Sequence, residues 1–338
     1  MRQFSILASV VLILLMSGCF DVPDTSMFRP DAPVSHDEVA QDTRLAVRVF
    51  YVEPPPDGEF RPDYHESFRQ IREIVDGAQG FFVREMERHG FGRQTFQPMT
   101  DSRGRVSVTP LRLSMYADYD SSTKVMEDIY AQMASDIEMF PRSRINLFFV
   151  DISSGIACGA GGGNASYGDV WVYQNPLCMT WHVLAHEIGH AVGLHHDYRN
   201  PLNMMGNGNE ESRLSPDAAK WLMRHRAFND GVSDIVPWVC YEVPLETQRI
   251  GISNTYRLTF NFMDACNSER TPFIYDYAVL LDCSGYFPEV IRFFDINEKT
   301  DNNLTITAGF ENGRTPFRLR MIGKNRQVFD TQYVIDVD

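Results

Sequence analysis

Residues 186–197 read His-Glu-Ile-Gly-His-Ala-Val-Gly-Leu-His-His-Asp, and this stretch decides which fold class and chemistry the chain can have. Residues four apart lie on one face of a helix, so His186 and His190 point the same way and can share one metal ion. Glu187 lies one residue further on, close enough to reach an attacking water without binding the metal itself. The spacing predicts a metal-binding helix with a carboxylate beside the metal.

A glycine and a third histidine extend this pattern. Gly193 is a residue free to take a positive φ, which lets the chain leave the helix and fold back. That bend can bring His196 round as a third ligand. Three neutral imidazoles leave the fourth tetrahedral position for water, which a catalytic zinc site requires. The HExxH pattern alone arises by chance on amphipathic helices, whereas the added Gly193 and His196 make the signal specific.

The complete pattern, HExxHxxGxxHD, resembles the zinc signature of the metzincin metallopeptidases, and the trailing Asp197 resembles their adamalysin or reprolysin branch. Family members have a tight methionine-containing turn beneath the metal, and residues 203–206 (Asn-Met-Met-Gly) fall at a suitable distance. The resemblance implies Met205 as the Met-turn residue, with Met204 as the alternative, although methionines alone are ordinary core residues. It also implies a closing helix at 215–225.

Two further histidines and Asp197 have alternative interpretations. His195 adjoins His196 and could in principle be the ligand, but the family spacing selects His196. His182 lies one turn before His186 and could line the site, but a solvated or packed helix residue is the favoured interpretation. For Asp197 we expect a structural role, in which it orients His196 or anchors the turn by accepting backbone hydrogen bonds.

Hydrophobic periodicity predicts strands and helices ahead of the motif. The predicted elements are a strand at 45–51, a helix at 64–89, a hairpin at 94–113 that turns at 101–104, a helix at 122–140, and strands at 145–152 and 169–173. A glycine-rich segment at 155–163 is expected to supply an edge strand on which an extended peptide pairs by β-augmentation. The order of these elements also resembles the metzincin fold.

Beyond Phe228 the periodicity changes to two, with turns rich in Asn, Gly and Pro. Alternating segments of this kind indicate an antiparallel sandwich of about one hundred residues. We therefore expect an α+β chain with a metzincin-like catalytic domain at 43–228, built on a mixed sheet and an active-site helix. An all-β antiparallel sandwich domain at 229–338 is expected to follow.

The first residues predict export. Arg2 is followed by an apolar run from Ile6 to Met16, which is too short to span a bilayer comfortably. Met16-Ser17-Gly18-Cys19 resembles the lipobox of bacterial lipoproteins, which implies a signal peptide at 1–18 and a lipidated tether at 19–42. The chain is then anchored to the cell envelope, at the outer membrane, with Cys19 as its only membrane attachment. The alternative is plain secretion with Cys19 incidental.

Export implies an oxidising compartment, where cysteines form disulfides. Cys158 and Cys178 would close a loop just ahead of the histidine helix. Among Cys240, Cys266 and Cys283 one bridge and one free thiol are expected, and the pairing stays open. No two cysteines have CxxC spacing, so a cysteine metal site is not expected.

Composition bounds the remaining classes of function. The 338 residues suit two domains, and 43% hydrophobic with 22% charged residues are typical of a folded chain. A formal net charge of −14 argues against a nucleic-acid partner. The sequence predicts an endopeptidase with one catalytic zinc ion and a protein or peptide substrate. The alternatives are a lipid-anchored binding protein with an inactive metzincin fold and a zinc hydrolase of cell-wall amides.

Overall fold

The computed structural model describes fifteen segments of the chain. They are residues 46–53, 65–112, 127–131, 144–151, 158–163, 168–206, 208–229, 241–252, 254–261, 263–264, 275–285, 288–295, 303–310, 312–323 and 328–337. The expected signal peptide, Cys19 and tether lie outside these segments. Within them, no helix is long and apolar enough to cross a membrane. Contacts group the chain into two compact units: residues 41–194 with 200–232, and residues 233–338 with His195–Arg199.

The first unit is built on a six-stranded mixed sheet. Its strands are β1 (Ala46–Glu53), β2 (Gln97–Pro98), β3 (Val108–Arg112), β4 (Ile145–Val150), β5 (Gly159–Gly163) and β6 (Gly168–Tyr173). The strand order is β2-β1-β4-β6-β5, and β3 also pairs with β1. Among these described strands only β5 runs antiparallel to its neighbour, and it ends the path. The α+β class with a mixed sheet is confirmed, and so is the glycine-rich edge strand.

Burial explains why these segments form the sheet. Every residue of β4 and β6 is buried, as expected for inner parallel strands that are covered on both faces. Helix α1 (His65–Arg88) buries a stripe at helical spacing: Ile71, Ile74, Val75, Ala78, Phe81, Phe82 and Met86. Gly90, with φ of 81°, follows its end. The predicted long helix is confirmed. Of the helix predicted at 122–140, only residues 127–131 are described, and they are helical.

The predicted hairpin at 94–113 is confirmed around its turn at 101–104, but the antiparallel pairing does not extend to its two outer segments. A tight turn does occur, since Gly104 N–H donates to Asp101 O at 2.9 Å, and Thr100 forms an antiparallel bridge with Val106. However, β2 and β3 each pair in parallel with β1. Both outer segments pair with successive parts of β1, a partner some fifty residues away in the chain that local turn chemistry cannot reveal.

The second unit is all-β among its described residues. Its strands are β7 (Tyr241–Glu242), β8 (Leu245–Arg249), β9 (Thr255–Asn261), β10 (Met263–Asp264), β11 (Tyr275–Asp282), β12 (Glu289–Asp295), β13 (Asn303–Gly309), β14 (Gly313–Gly323) and β15 (Val328–Val337). They form a four-stranded sheet of order β12-β11-β14-β15, a three-stranded sheet of order β13-β9-β8, and a β10-β7 pair. One hydrophobic core contains Leu258 and Phe260 of one sheet and Leu280 and Leu319 of the other. The predicted antiparallel pairing is confirmed.

Disulfide bonds also follow the prediction in part. Cys158 and Cys178 are bonded, with their Cα atoms 4.7 Å apart, and they tie β5 to the segment before the histidine helix. Cys283 is disulfide-bonded as well. Cys240 and Cys266 lie outside the described residues.

Asp169 is a buried carboxyl in β6, and Asn146 Nδ2 donates to its Oδ1 at 2.9 Å. Burial raises the pKa of Asp169 from 3.8 to about 6, because the charged form loses its hydration, and the Asn146 hydrogen bond opposes this only in part. A carboxyl whose folded pKa is raised stabilises the fold below its unfolded pKa, and this contribution disappears as pH rises through the folded value. Ionised Asp169 therefore weakens the fold above pH 6.

We expect Asp169→Asn to reduce the pH dependence of stability. Between pH 5 and pH 8 the wild type should lose about 1 kcal/mol through this group, a loss that the uncharged amide does not share. The new amide can also donate to Asn146 Oδ1, which has no hydrogen-bond partner among the described residues. Urea unfolding at both pH values measures the effect. A difference between variant and wild type that is the same at pH 5 and pH 8 would contradict the assignment.

Candidate metal centre

Helix α2 (Trp181–Ala191) carries the first two histidines. Thr180 caps it, since its Oγ1 accepts the Val183 N–H at 3.4 Å. Its apolar face is buried through Leu184, Ala185, Ile188 and Ala191. Because this face is anchored in the core, the helix holds His186 and His190 in fixed positions one turn apart.

The imidazoles of His186 and His190 are oriented by backbone carbonyls. Their Nδ1 atoms lie 2.8 Å from Met204 O and 2.9 Å from Leu194 O, respectively. A carbonyl oxygen only accepts, so each Nδ1 carries the proton and each neutral ring keeps its lone pair on Nε2. Burial lowers the pKa of His186, which favours this neutral form.

The two Nε2 atoms face each other at 3.1 Å. Two lone pairs at this distance repel unless a cation lies beside both of them. Imidazole nitrogens bound to tetrahedral zinc at 2.0–2.1 Å lie roughly 3.3 Å apart, which is close to the observed separation. The residues of the helix therefore fit a metal ion.

The chain leaves α2 through the predicted glycine bend. Gly193 has φ of 86°, Leu194 N–H donates to Gly189 O at 2.9 Å, and Gly193 N–H donates to His190 O at 3.0 Å. These two bonds form a Schellman motif, which satisfies the last carbonyls of the helix. The ligand atoms of His186, His190 and His196 all lie within 4.8 Å of one another. The three predicted ligands are thus brought together.

The methionine turn lies directly beneath α2. Gly206 N–H donates to Asn203 O at 2.9 Å, which closes the turn. Met205 is buried, and a Cβ added at Gly189 would lie 2.3 Å from its Sδ. Met205 thus packs against the helix between the two histidines, as the resemblance implies, whereas Met204 contributes the carbonyl that orients His186.

A third helix follows this turn. Helix α3 (Pro216–Arg224) begins at Ser215, whose Oγ accepts the Ala218 N–H at 3.1 Å. Its Trp221 Nε1 donates to Val192 O at 2.9 Å, and thereby ties α3 to the end of α2. The predicted closing helix is confirmed.

Glu187 is buried on α2, with 8% of its surface exposed. Burial raises the pKa of the Glu187 carboxyl to about 8, because the charged form loses its hydration. A buried carboxyl beside two candidate metal ligands is suited to hold and release a proton near neutral pH.

The glycines of β5 allow this strand to pass very close to α2. A Cβ at Gly161 would lie 2.2 Å from Glu187 O and 3.0 Å from His190 Cβ, and a Cβ at Gly159 would lie 3.1 Å from Glu187 Oε1. Gly162 points elsewhere and has no such neighbour within 4 Å. The glycine-rich composition therefore reflects close packing of the edge strand on the candidate site.

The sequence also singled out Asp197, His182 and His195. Asp197 is buried, and its Oδ1 accepts the Arg199 N–H at 3.2 Å, in agreement with the structural role expected for it. His182 and His195 are partly buried.

Sequence reasoning missed Glu85 of α1. Its buried carboxylate accepts the Leu214 N–H at 2.9 Å and pairs with Arg88 at 2.6 Å. It thereby anchors the chain between the methionine turn and α3. Its only signal in the sequence is an acidic residue inside the apolar stripe of a helix.

Comparison with known proteins agrees with this geometry. Residues 91–230 match the family Reprolysin_5, described as metallo-peptidase family M12. The resemblance to metzincin peptidases is confirmed. M12 metallopeptidases use zinc, and the histidine cluster of the matched segment is able to hold a metal ion.

Solved structures show a similar fold. Wild-type OgpA from Akkermansia muciniphila has a TM-score of 0.57 and 15% identity over 91% of this chain and 99% of that chain. Catalytically inactive OgpA from the same organism, in complex with an O-glycopeptide (glycodrosocin) substrate, has a TM-score of 0.56 and 15% identity over 88% and 95% of the two chains. At this identity the similarity establishes the fold alone. No curated protein matches.

Substitution of single β5 glycines tests whether close packing against α2 requires glycine at particular positions of the strand. We expect Gly161→Ala to destabilise the protein by about 1–3 kcal/mol, because its methyl group would overlap backbone atoms of α2. Gly162→Ala, the matched control on the same strand, should change stability little. Thermal unfolding of both variants measures the difference. Equal unfolding temperatures for the two variants would show that β5 does not press on the helix.

Proposed function

We propose that this metallopeptidase is a zinc-dependent endopeptidase, with His186, His190 and His196 as the zinc ligands and Glu187 as the general base. The proposal depends above all on the facing Nε2 atoms of His186 and His190, whose Nδ1 atoms are both engaged by carbonyls. That arrangement is unfavourable without a cation and matches the spacing that zinc requires.

The imidazoles of His186, His190 and His196 would hold a zinc ion, which when bound would lower the pKa of water and polarise a substrate carbonyl. The protein supplies the proton transfers. Glu187 accepts a proton from the attacking water and passes it to the departing amine. Its burial in α2 suits this exchange, because the neutral and ionised forms of the carboxyl become closer in free energy. The carbonyl acceptors keep His186 and His190 in the tautomer that leaves Nε2 available.

An extended peptide segment is the substrate that the site supports best. Strand β5 ends the sheet and lies against Glu187 and His190, so a peptide that pairs with its open edge would pass in front of both residues. Backbone pairing of this kind recognises an interior segment of a chain, and for that reason we favour an endopeptidase.

The remaining assignments extend this proposal to the whole chain. We assign residues 43–228 to the peptidase domain and 229–338 to a β-sandwich domain, in which the two antiparallel sheets cover one core. Residues 1–18 act as a signal peptide, and lipidated Cys19 with its tether at 19–42 anchors the protein to the bacterial cell envelope. A Cys19→Ser variant that still partitions with membranes would refute the anchor.

Zinc content and a conservative replacement of the base test the catalytic assignment. Purified protein should contain about one zinc per chain. Glu187→Gln should retain that zinc and lose roughly 100-fold or more in peptide cleavage, because an amide of the same shape cannot accept the proton. Cleavage of a peptide library, followed by mass spectrometry, measures activity. Chelator should abolish cleavage and added zinc restore it.

Matched variants make this result specific. His196→Ala should lose zinc, whereas His182→Ala, on helix α2 but outside the ligand set, should keep it. Activity of Glu187→Gln equal to wild type would refute the role of Glu187. Zinc-loaded protein that cuts no peptide, with or without O-glycans, would favour a binding protein, and cleavage of cell-wall amides alone would favour the other alternative.

A further inference from the structure

The third histidine is held by a strand that lies far from it in sequence. The N–H of Val290 donates to the backbone oxygen of His196 at 2.8 Å, and His196 forms an isolated parallel bridge with Glu289. Both partners belong to β12, the edge strand of the four-stranded sheet. An edge strand offers backbone groups that a passing segment can pair with. Here that segment is the one that carries the candidate ligand.

Side chains hold the same segment a second time. Arg199 donates to Asp197 through Nε and Nη2, both at 2.8 Å, and its guanidinium lies over the Phe293 ring of β12 at 5.2 Å. Phe293 is itself buried and stacks on Tyr277 of the neighbouring strand at 5.9 Å. The segment from His195 to Arg199 is therefore attached to the interior of the sheet through a cation–π contact as well as a backbone bond.

The ring of His196 is restrained within this segment. Tyr198 stacks on it, with ring centroids 5.6 Å apart and planes inclined by 17°. His186 and His190 are oriented differently, since their acceptors are carbonyls of residues 204 and 194. The three ligands thus depend on two separate sets of contacts.

We propose that strand β12 is the positioning element for the third metal ligand, and that the affinity for zinc depends on its contacts with His195–Arg199. The inference rests on the proposed zinc site. After the glycine bend, a five-residue segment without these contacts would have to lose its conformational freedom when the metal binds. Contacts that order the segment beforehand remove that cost and so increase affinity. Partners of metal ligands commonly change metal affinity 10–100-fold.

Two substitutions in β12 test the inference, and a third serves as a control. Val290→Pro removes the N–H that reaches His196, and Val290→Ala keeps it. Phe293→Leu removes the ring beneath Arg199 and retains an apolar side chain. We expect Val290→Pro and Phe293→Leu to weaken zinc binding about tenfold or more in competition with a chromogenic chelator. Val290→Ala should bind zinc as the wild type does.

A control separates positioning from general loss of stability. Ile335→Val lies in the core of the same unit, on β15 at the opposite edge of the sheet. It should lower the unfolding temperature without changing zinc affinity. Hydrogen exchange of metal-free protein provides a readout that needs no zinc: residues 195–199 should exchange faster in Phe293→Leu than in Ile335→Val.

The outcomes distinguish this inference from the proposed function. Wild-type zinc affinity and unchanged exchange of residues 195–199 in both Val290→Pro and Phe293→Leu would overturn the positioning role, even if the enzyme is an active zinc peptidase. Wild-type protein that binds no zinc would overturn the proposed function. In that case faster exchange at 195–199 in Phe293→Leu would still show that β12 orders the segment.

Discussion

Two hydrogen bonds, from imidazole Nδ1 atoms to the carbonyls of Met204 and Leu194, determine which nitrogens remain for a metal. If either ring turned over, its lone pair would face the backbone and the facing Nε2 pair would be lost. The carbonyls are available only because the glycine bend returns the chain beneath α2 and the methionine turn closes below it. The fold around α2 therefore places one backbone carbonyl beside the Nδ1 atom of each of these two histidines.

Two neighbouring segments pack closely against helix α2. Strand β5 approaches the backbone of α2 at Gly161, and Met205 approaches it at Gly189, each within a distance that a Cβ atom would occupy. Glycine at both contacts lets the helix be enclosed without displacing Glu187 or the histidines. The enclosure in turn dehydrates Glu187 and raises its pKa. The close packing around α2 therefore also accounts for the raised pKa of Glu187.

The second unit contributes to the candidate metal site, and its sequence gives no indication of this. Its strands name no ligand, and their alternation indicates only two antiparallel sheets around a core. Yet His195–Arg199 groups with this unit, and β12 contacts the residue expected to complete the metal site. A catalytic signature contiguous in sequence is therefore supported by two sets of contacts that are distant from each other along the chain.

The sequence by itself determined the features that depend on local spacing. The i and i+4 histidines, Gly193 with its positive φ, the helix at 65–88 and the buried strands follow from periodicity and from backbone preferences of single residues. Tertiary structure alone decided which distant segments meet. The parallel pairing of β2 and β3 with β1, the anchoring of Leu214 by Glu85, and the contact of β12 with His196 all join residues far apart in the chain. Such contacts depend on how whole elements pack, and the local sequence of one segment does not show which distant segment it will contact.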